Sequence, residues 1–294
     1  MADTEALARE FEEHRPRLRA ISYRMLGSFA EADDTVQETW LRFSGAGTED
    51  VENVGAWLTT IVARLSLNAL RARRRHPEEP LEVYVPDPVI SSAEGIDPEQ
   101  EILLADAVGT ALQVILDTLQ PAERLALVLH DMFDVPYDDI ARMLGKTPVA
   151  TRQLTSRARH RVRDVDPPQE PDPALSRPVV SAFFAAAHGG DLDALISLLD
   201  PEIVLRSAGG PGRPAATALV QGADAVASRA MMFRRPDARV IPALINGGPG
   251  VVIVAGDERV SVMSFTVAGG RITEITALVD PDRLARLDLS PLGL

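Results

Sequence analysis

The stretch IARMLGKTPVATRQLTSRARHRVR, residues 140–163, decides the fold of the middle of this chain. An apolar-periodic segment ends at Leu144, and Gly145 with Lys146 makes a tight break. Thr147 then suits an N-cap and Pro148 a first helical position. We predict helices over 136–144 and 148–162. A short glycine-containing turn between two helices is the helix-turn-helix signature.

The second of these helices carries most of the charge. Residues 140–163 hold seven Lys or Arg and not one Asp or Glu. A basic helix after such a turn typically enters the major groove, with its N-terminal residues on base edges and later residues on phosphates. We expect base contacts from Thr151, Arg152 and Gln153, and phosphate contacts from Ser156, Arg157 and Arg159. We expect Leu154 and Ala158 to pack this helix onto its partner. The alternative is a merely solvated basic face; the complete absence of acids favours DNA contact.

The distribution of charge along the chain supports a nucleic-acid partner, although the net charge of the chain does not. The formal net charge is −13, and an acidic chain is repelled by phosphate unless its cations are segregated. Here they are segregated, because residues 61–75 hold five Arg and no acid. Between the two basic segments, residues 76–139 hold fifteen Asp or Glu, and Arg124 is the only Lys or Arg.

Composition excludes several classes of protein. A length of 294 residues predicts two or three domains. Zero cysteines exclude a disulfide framework and thiolate metal sites. The N-terminus lacks the basic start and apolar core of a signal peptide. The sequence contains no run of about 18 apolar residues, so no membrane span is predicted. We therefore expect a cytoplasmic protein, and we predict no cofactor and no metal.

The N-terminal part is predicted to be helical. Residues 4–24 and 30–43 have helical apolar spacing, and a third segment becomes basic and ends near Arg75. Residues 76–98 are rich in proline and acids, which disfavours both helix and sheet and indicates a linker. Helical spacing resumes over 102–119, and Pro121 suits the first position of a further helix.

After a second Pro- and acid-rich linker over 166–176 the pattern changes. Two helices broken at Gly189 and Gly190 precede strand-like runs rich in Val and Ile, which predict an antiparallel sheet in an α+β domain. Asp191 is expected to cap the second helix rather than act in catalysis. His188 is the only histidine of this part, so no acid/base set is visible and we predict no catalytic residues. The segment Gly209-Gly210-Pro211-Gly212 lacks the strand–helix context of a phosphate loop.

Three segments of the N-terminal half resemble one family. ADDTVQETWLRF (32–43) resembles the most characteristic motif of the extracytoplasmic-function sigma factors. AWLTTIVAR (56–64) with the Arg cluster after it resembles their promoter-melting region, and residues 119–163 resemble their second DNA-binding domain. The resemblance covers about residues 7–163, with the three motifs in the right order.

The resemblance implies roles for named residues. The helix over 32–43 is expected to dock on the clamp of core RNA polymerase through Asp34, Gln37, Glu38, Trp40 and Leu41. The minus-ten promoter element is expected to meet Asn68, Arg71, Arg73, Arg74 and Arg75, since Arg with nearby aromatic residues can capture unstacked bases. The basic helix is expected to read the minus-thirty-five element. For Trp40 and Trp57 a core role is favoured over base stacking. The alternative for Asp34, Gln37 and Glu38 is that they are surface polar residues without a partner; the motif match favours polymerase contact.

The C-terminal part resembles the SnoaL-like domain, a cone-shaped α+β fold, that some of these sigma factors carry. Asn246-Gly247-Gly248-Pro249-Gly250 matches a motif of that subgroup. Two further motifs depart from the pattern: Trp-Leu-Pro-Glu-Pro stands here as residues 84–88, YVPDP, and Asp-Gly-Gly-Gly as residues 207–210, SAGG. The subgroup is thought to use these motifs to join linker and extension, which implies intramolecular contact of the C-terminal domain with the sigma domains.

These readings together predict a multidomain chain with two all-α domains followed by an α+β domain. The predicted parts are sigma region 2 (1–75), an acidic linker (76–98), sigma region 4 (99–165), a linker (166–176) and a SnoaL-like regulatory domain (177–294). The favoured function is a sigma factor whose C-terminal domain acts in cis. A one-component helix-turn-helix regulator with a ligand-sensing domain is the alternative, and a cyclase-like enzyme with a DNA-binding region is a third. We expect neutralisation of Glu78, Glu79, Glu82 and Asp87 to raise DNA affinity if the acidic linker holds the domains closed.

Overall fold

The computed structural model describes residues 2–46, 53–75, 85–92, 116, 118–164, 173–235, 237–256 and 258–294. The chain forms two compact units, one from residues 1–78 and 115–165 and one from residues 79–114 and 166–294. Most of the helix predicted over 102–119 lies outside the described residues. So do Glu78, Glu79 and Glu82 of the acidic linker.

The first unit is helical, as the apolar spacing predicts. Its elements are α1 (Ala2–Leu26), α2 (Phe29–Ala46), α3 (Val54–Arg75), α4 (Pro121–Leu127), α5 (Tyr137–Leu144) and α6 (Pro148–Asp164). A π-helical turn, Val128–Met132, prolongs α4. Pro121 stands in the first turn of α4, the position where the missing N–H of proline costs nothing.

Helices α1 to α3 pack around an aromatic core. Phe11 of α1 is buried and its ring centroid lies 5.1 Å from that of Trp40 and 6.1 Å from that of Phe43. Trp57 of α3 closes the cluster at 5.7 Å from Phe43. Aromatic pairs at these separations stabilise beyond the area they bury, by about 0.5–1.5 kcal/mol each. The core role that we favoured for both tryptophans agrees with this packing.

The turn between α5 and α6 has the geometry that its sequence predicts. Gly145 adopts the left-handed conformation at φ +64° and ends α5. Thr147 Oγ1 accepts a hydrogen bond from the Ala150 N–H at 3.2 Å, which confirms the N-cap of α6. Leu154 and Ala158 are buried, so α6 packs through the residues expected to hold it.

Two arginines fix α4 and its continuation to α1. The guanidinium of Arg124 is almost fully buried and donates from Nε and Nη2 to the Arg24 carbonyl oxygen at 3.0 and 2.7 Å. Arg17 donates from Nη2 to the Phe133 carbonyl oxygen at 2.6 Å. Hydrogen bonds from charged donors contribute about 1.5–3 kcal/mol, so these contacts make the helical unit one packed body.

The second unit is a mixed sheet with helices. Its elements are β1 (Ile90–Ser92), α7 (Pro173–Gly189), α8 (Leu192–Leu198), β2 (Leu199–Ala208), β3 (Ala218–Gln221), α9 (Ala223–Met232), β4 (Arg239–Ile245), β5 (Gly248–Ala255), β6 (Glu258–Ala268), β7 (Arg271–Leu278) and α10 (Pro281–Ala285). The strands lie in the order β1-β4-β5-β6-β7-β2-β3. Asp191 caps α8 as predicted, since its Oδ1 accepts from the Ala194 N–H at 2.9 Å.

The prediction of a purely antiparallel sheet is wrong for one pair. β2 and β7 run parallel, with Leu205 opposite Ile275, whereas the other pairs are antiparallel. The β4–β7 meander returns to the sheet beside β2, far along the chain, and only such a long connection can place two strands parallel. The hydropathy pattern of a strand does not indicate which other strand it pairs with or in which direction.

The sheet buries two apolar faces against different layers. Helices α7, α8 and α9 cover one face, with Phe183, Leu195 and Val226 in its core. Val85, α10 and the C-terminal turn Ser290–Leu292 cover the other face, with Val85 and Leu284 in its core. A sheet buried on both faces explains the continuous Val and Ile run of β5, Val251–Val254.

The two predicted linkers contain regular structure. The first was predicted to hold neither helix nor sheet, yet β1 pairs antiparallel with β4, Ser91 opposite Leu244. The second was predicted to extend to residue 176, but α7 begins at Pro173, because proline is accepted in a first helical turn. The sequence reading also missed β3 and α9, which follow a glycine-rich turn. Within the described part of the chain, no helix is long and apolar enough to cross a membrane.

Candidate nucleic-acid interface

The outer face of α6 keeps part of the predicted DNA-contacting set free. Arg152, Gln153 and Ser156 are exposed, and the Arg152 guanidinium lies 5.3 Å from the ring centroid of Tyr137. Thr151 is fully buried, and its hydroxyl donates to the Thr147 carbonyl oxygen at 3.0 Å. Our prediction of a base contact from Thr151 is therefore revised: its side chain faces the helix-turn-helix core.

The later arginines of α6 are paired inside the same unit. Arg157 Nε lies 3.2 Å from the carboxylate of Glu123, and Arg161 pairs with the same carboxylate. Arg159 makes two 2.7 Å hydrogen bonds to Asp131, which raise its already high pKa. Glu123 is buried, so it fixes α6 to α4 as well as neutralising charge. In any phosphate contact by Arg157 or Arg159, these carboxylates would compete with phosphate for the guanidinium.

The basic end of α3 gathers most of the residues expected at the minus-ten element. Asn68, Arg71 and Arg75 are exposed and, with Arg74, line one concave surface. Gln120, the N-cap of α4, and the first two residues of that helix complete it. The Arg74 guanidinium donates to Gln120 Oε1 and to the Leu119 carbonyl oxygen, both at 2.6 Å. This surface is rich in hydrogen-bond donors, and the described residues that line it include no acid.

Arg73 lies apart from that surface. Its Nη1 donates to the Leu26 carbonyl oxygen at 3.1 Å, and its Nη2 pairs with Glu31. Arg73 thus joins α3 to the beginning of α2. The structure gives it a structural contact within the helical unit and does not bring it together with the other four predicted residues.

The outer face of α2 displays the residues predicted to meet polymerase. Asp34, Gln37 and Leu41 are exposed at helical spacing, with Glu38 beside them. The Leu41 side chain is 58% exposed, which is unusual for a large apolar residue. Trp40 instead turns into the aromatic core and is only partly accessible. The arrangement offers an acidic helical face with an apolar point in it.

Residues 85–92, which we call the tether, bind the C-terminal sheet through specific contacts. Arg283 of α10 pairs with Asp87 at 2.5 Å and donates from Nη2 to the Val85 carbonyl oxygen at 2.6 Å. Asn246 closes the other end: its N–H donates to the Val89 carbonyl oxygen, and its Oδ1 accepts from the Val89 N–H, both at 2.8 Å. Strand β1 then continues the ladder along β4.

Comparison with known proteins fits this geometry. Residues 11–76 match sigma-70 region 2, and residues 110–162 match sigma-70 region 4. The chain is 34% identical to the extracytoplasmic-function (ECF) RNA polymerase sigma factor SigJ of Mycobacterium tuberculosis, over 93% of this chain and 92% of SigJ. The probable ECF sigma factor SigI of the same species is 30% identical over 97% of each chain. The chain belongs to the ECF RNA polymerase sigma factors.

The solved structure of M. tuberculosis SigJ extends this likeness to the whole fold of the sigma factor. It aligns with a TM-score of 0.69 at 32% identity, over 95% of this chain and 98% of SigJ. The sigma factor therefore contains regions 2 and 4 followed by a mixed-sheet, SnoaL-like domain, as the motifs imply. As a sigma factor with both regions, it binds core RNA polymerase and promoter DNA to initiate transcription.

The motif Asn246–Gly250 of this sigma factor has a backbone explanation. Asn246 at φ +51° and Gly247 at φ +77° form the Asn-Gly turn preferred in two-residue β-hairpins. A Cβ on Gly250 would lie 2.2 Å from Ile245 Cγ1 and 2.6 Å from the Met263 carbonyl oxygen, so only glycine fits. The turn holds Asn246 where its side chain meets the tether.

Sequence reasoning missed Arg283 and Glu123, which organise the tether and α6. Arg283 lies 196 residues from Asp87, and no local pattern announces that pair. Asp87 stands where the subgroup's linker motif has Glu, which keeps a carboxylate at this position of the tether. The retained carboxylate of Asp87 was the one signal in the sequence, because it calls for a cationic partner in the C-terminal part.

Proposed function

We propose that this sigma factor binds the clamp of core RNA polymerase through the outer face of α2, and that its C-terminal domain controls promoter use through the tether. The basic end of α3 reads the minus-ten element, and the exposed face of α6 reads the minus-thirty-five element. The protein acts in the cytoplasm and is not an enzyme. The observation that carries the control in cis is that a segment between regions 2 and 4 is bound by the domain after region 4.

The α2 surface supports polymerase binding by its composition. The exposed residues of α2 around Leu41 are polar and include Asp34, Gln37 and Arg42. Leu41 stands one turn from Gln37 and two from Asp34, which makes a compact patch. Apolar anchors surrounded by polar residues dominate many interfaces. Trp40 supports the patch from behind through its packing on Phe11.

The tether supports control in cis by chain connectivity. Region 2 ends with α3 at Arg75, and α4 begins at Pro121. Residues 85–92 lie between them, so binding of the tether shortens the free chain that joins the two regions. A shorter free connection limits the separations that regions 2 and 4 can adopt. Promoter recognition requires one such separation.

Run-off transcription with core polymerase and the protein's own upstream region tests the proposal. The full chain should give a specific transcript, and Leu41→Ala should lower its yield and weaken core binding by about tenfold, as loss of an interface anchor does. Leu192→Ala, which truncates a 40% exposed leucine in the C-terminal domain, is the matched control. DNA binding without polymerase, and no transcript with it, would instead support the one-component regulator.

A further inference from the structure

A cavity of about 720 Å³ lies in the C-terminal domain, between helices α7 and α9 and one face of the sheet. Its floor is apolar and comes from successive strands, with Leu205, Ile253, Met263 and Ile275 side by side. Phe183 closes it from α7. Cavities of this size and character are those that bury small organic molecules.

Four arginines are the charged groups among the described residues that line the cavity. Arg213, Arg229, Arg234 and Arg235 line it, with no Asp or Glu among the described lining residues. Arg213 pairs with Glu258, and Arg235 pairs with Asp237 at 3.1 Å; neither carboxylate lines the cavity. Each of these two cations therefore already has a carboxylate partner.

Arg229 and Arg234 are held differently. Arg229 Nη2 donates to the Ala215 and Ala216 carbonyl oxygens at 3.2 and 3.1 Å, and Arg234 Nη1 donates to the His188 carbonyl oxygen at 3.2 Å. No carboxylate among the described residues lies in ion-pair range of either. Burial lowers the pKa of Arg229, so its charged form would gain from an anion.

We propose that this domain binds a small apolar carboxylate. The hydrocarbon body lies on the apolar floor, and the carboxylate pairs with Arg229 and Arg234, whose fork geometry suits two oxygen atoms. Turnover is not part of the proposal, because the described lining holds no carboxylate to pair with His188.

Isothermal titration calorimetry on the full chain tests the proposal without reference to transcription. Decanoate is the probe, and decan-1-ol, which has a similar body and no charge, is its counterpart. Decanoate should bind one to one and about tenfold or more tighter than decan-1-ol, as expected for charge-assisted pairing. Arg229→Gln and Arg234→Gln should each remove most of that preference and leave decan-1-ol binding unchanged. Arg271→Gln, an exposed arginine outside the cavity, should have no effect.

Equal affinity for the acid and the alcohol, no binding of decanoate, or the same loss in Arg271→Gln as in Arg229→Gln would overturn the proposal. Thermal unfolding of each variant, followed by circular dichroism, shows that the domain is folded. Arg234 is exposed and donates a hydrogen bond to the His188 carbonyl oxygen, so its loss should disturb the fold little. Its variant keeps the test decisive if Arg229→Gln unfolds. A sigma factor that fails this test would still be a sigma factor.

Discussion

The arginines of the basic segment 140–163 of this sigma factor differ in whether they are paired with a carboxylate. Arg152 is exposed and has no carboxylate in the described structure within ion-pair range, whereas Arg157 and Arg159 are paired with Glu123 and Asp131. The sequence predicted the charge of residues 140–163 and the exposure of Arg152. It could not predict the pairing, because each partner lies on another element, 28 or 34 residues away. The burial of Thr151 was missed for a related reason: it depends on packing between helices.

The ion pair between Arg206 and Glu274 makes a prediction about pH. Burial raises the pKa of Glu274 above its ordinary 4.5, and Arg206 opposes that rise. Because the folded-state pKa is the higher one, the contribution of Glu274 to stability is fully present below about pH 4.5 and is lost as pH rises through the folded pKa. Arg206→Leu should raise that pKa further and increase the loss at neutral pH. Arg239→Leu, at an exposed position of β4, is the control.

Carbon-13 NMR of the Glu274 carboxyl measures the pKa, and urea unfolding between pH 4 and 7 measures the stability. The destabilisation caused by Arg206→Leu should grow across that interval and should be smallest at its acid end. A pKa of Glu274 that does not move would show that Arg206 does not act on it in solution.

Among the elements, those set by local signals were predictable and those set by pairing were not. Gly145, Thr147 and Pro148 mark the ends of α5 and α6 within four residues of sequence, and the structure confirms them. The parallel alignment of β2 with β7 and the docking of β1 on β4 depend on strands far apart in the chain. The tether was therefore predicted to be a linker without helix or sheet, although the sequence comparison had already identified Asp87 in the linker motif.

The pairing of α6 makes a prediction about DNA binding. The two hydrogen bonds to Asp131 hold Arg159 away from phosphate. Asp131→Asn should free Arg159 for one additional phosphate contact and so raise DNA affinity. One more released counterion should steepen the slope of log affinity against log salt by about 0.9. Fluorescence anisotropy with the upstream DNA measures both. Glu12→Gln removes the same charge from an exposed pair with Arg15 on α1 and controls for net charge.

An Asp131→Asn slope equal to that of the Glu12→Gln protein would show that Arg159 stays off the phosphates. In that case Asp131 and Arg159 act only to fix α6 against the turn that follows α4. Asn at position 131 keeps one acceptor for Arg159, so the helical unit should remain folded.

At the scale of the whole molecule, the tether makes the C-terminal domain hard to remove cleanly. Val85 and Ile90 are almost fully buried against the sheet, so a chain ending near residue 166 would expose them. Such a truncation changes the connection between regions 2 and 4 as well as deleting a domain. A point variant that releases the tether separates these two effects.

Arg283→Leu is that variant. It removes the partner of Asp87, and breaking a buried ion pair in this way costs about 3 kcal/mol, roughly a hundredfold in the opening equilibrium of the tether. Amide hydrogen exchange of Ser91 and its neighbours should accelerate accordingly, and the run-off yield should change with it. Arg206→Leu removes an ion pair between β2 and β7 instead, and should leave both the exchange of β1 and the transcript unchanged. If amide exchange accelerates and the transcript yield is unaltered, the tether anchors the domain without controlling promoter use. The free chain between regions 2 and 4 would then have lengthened without any effect on transcription.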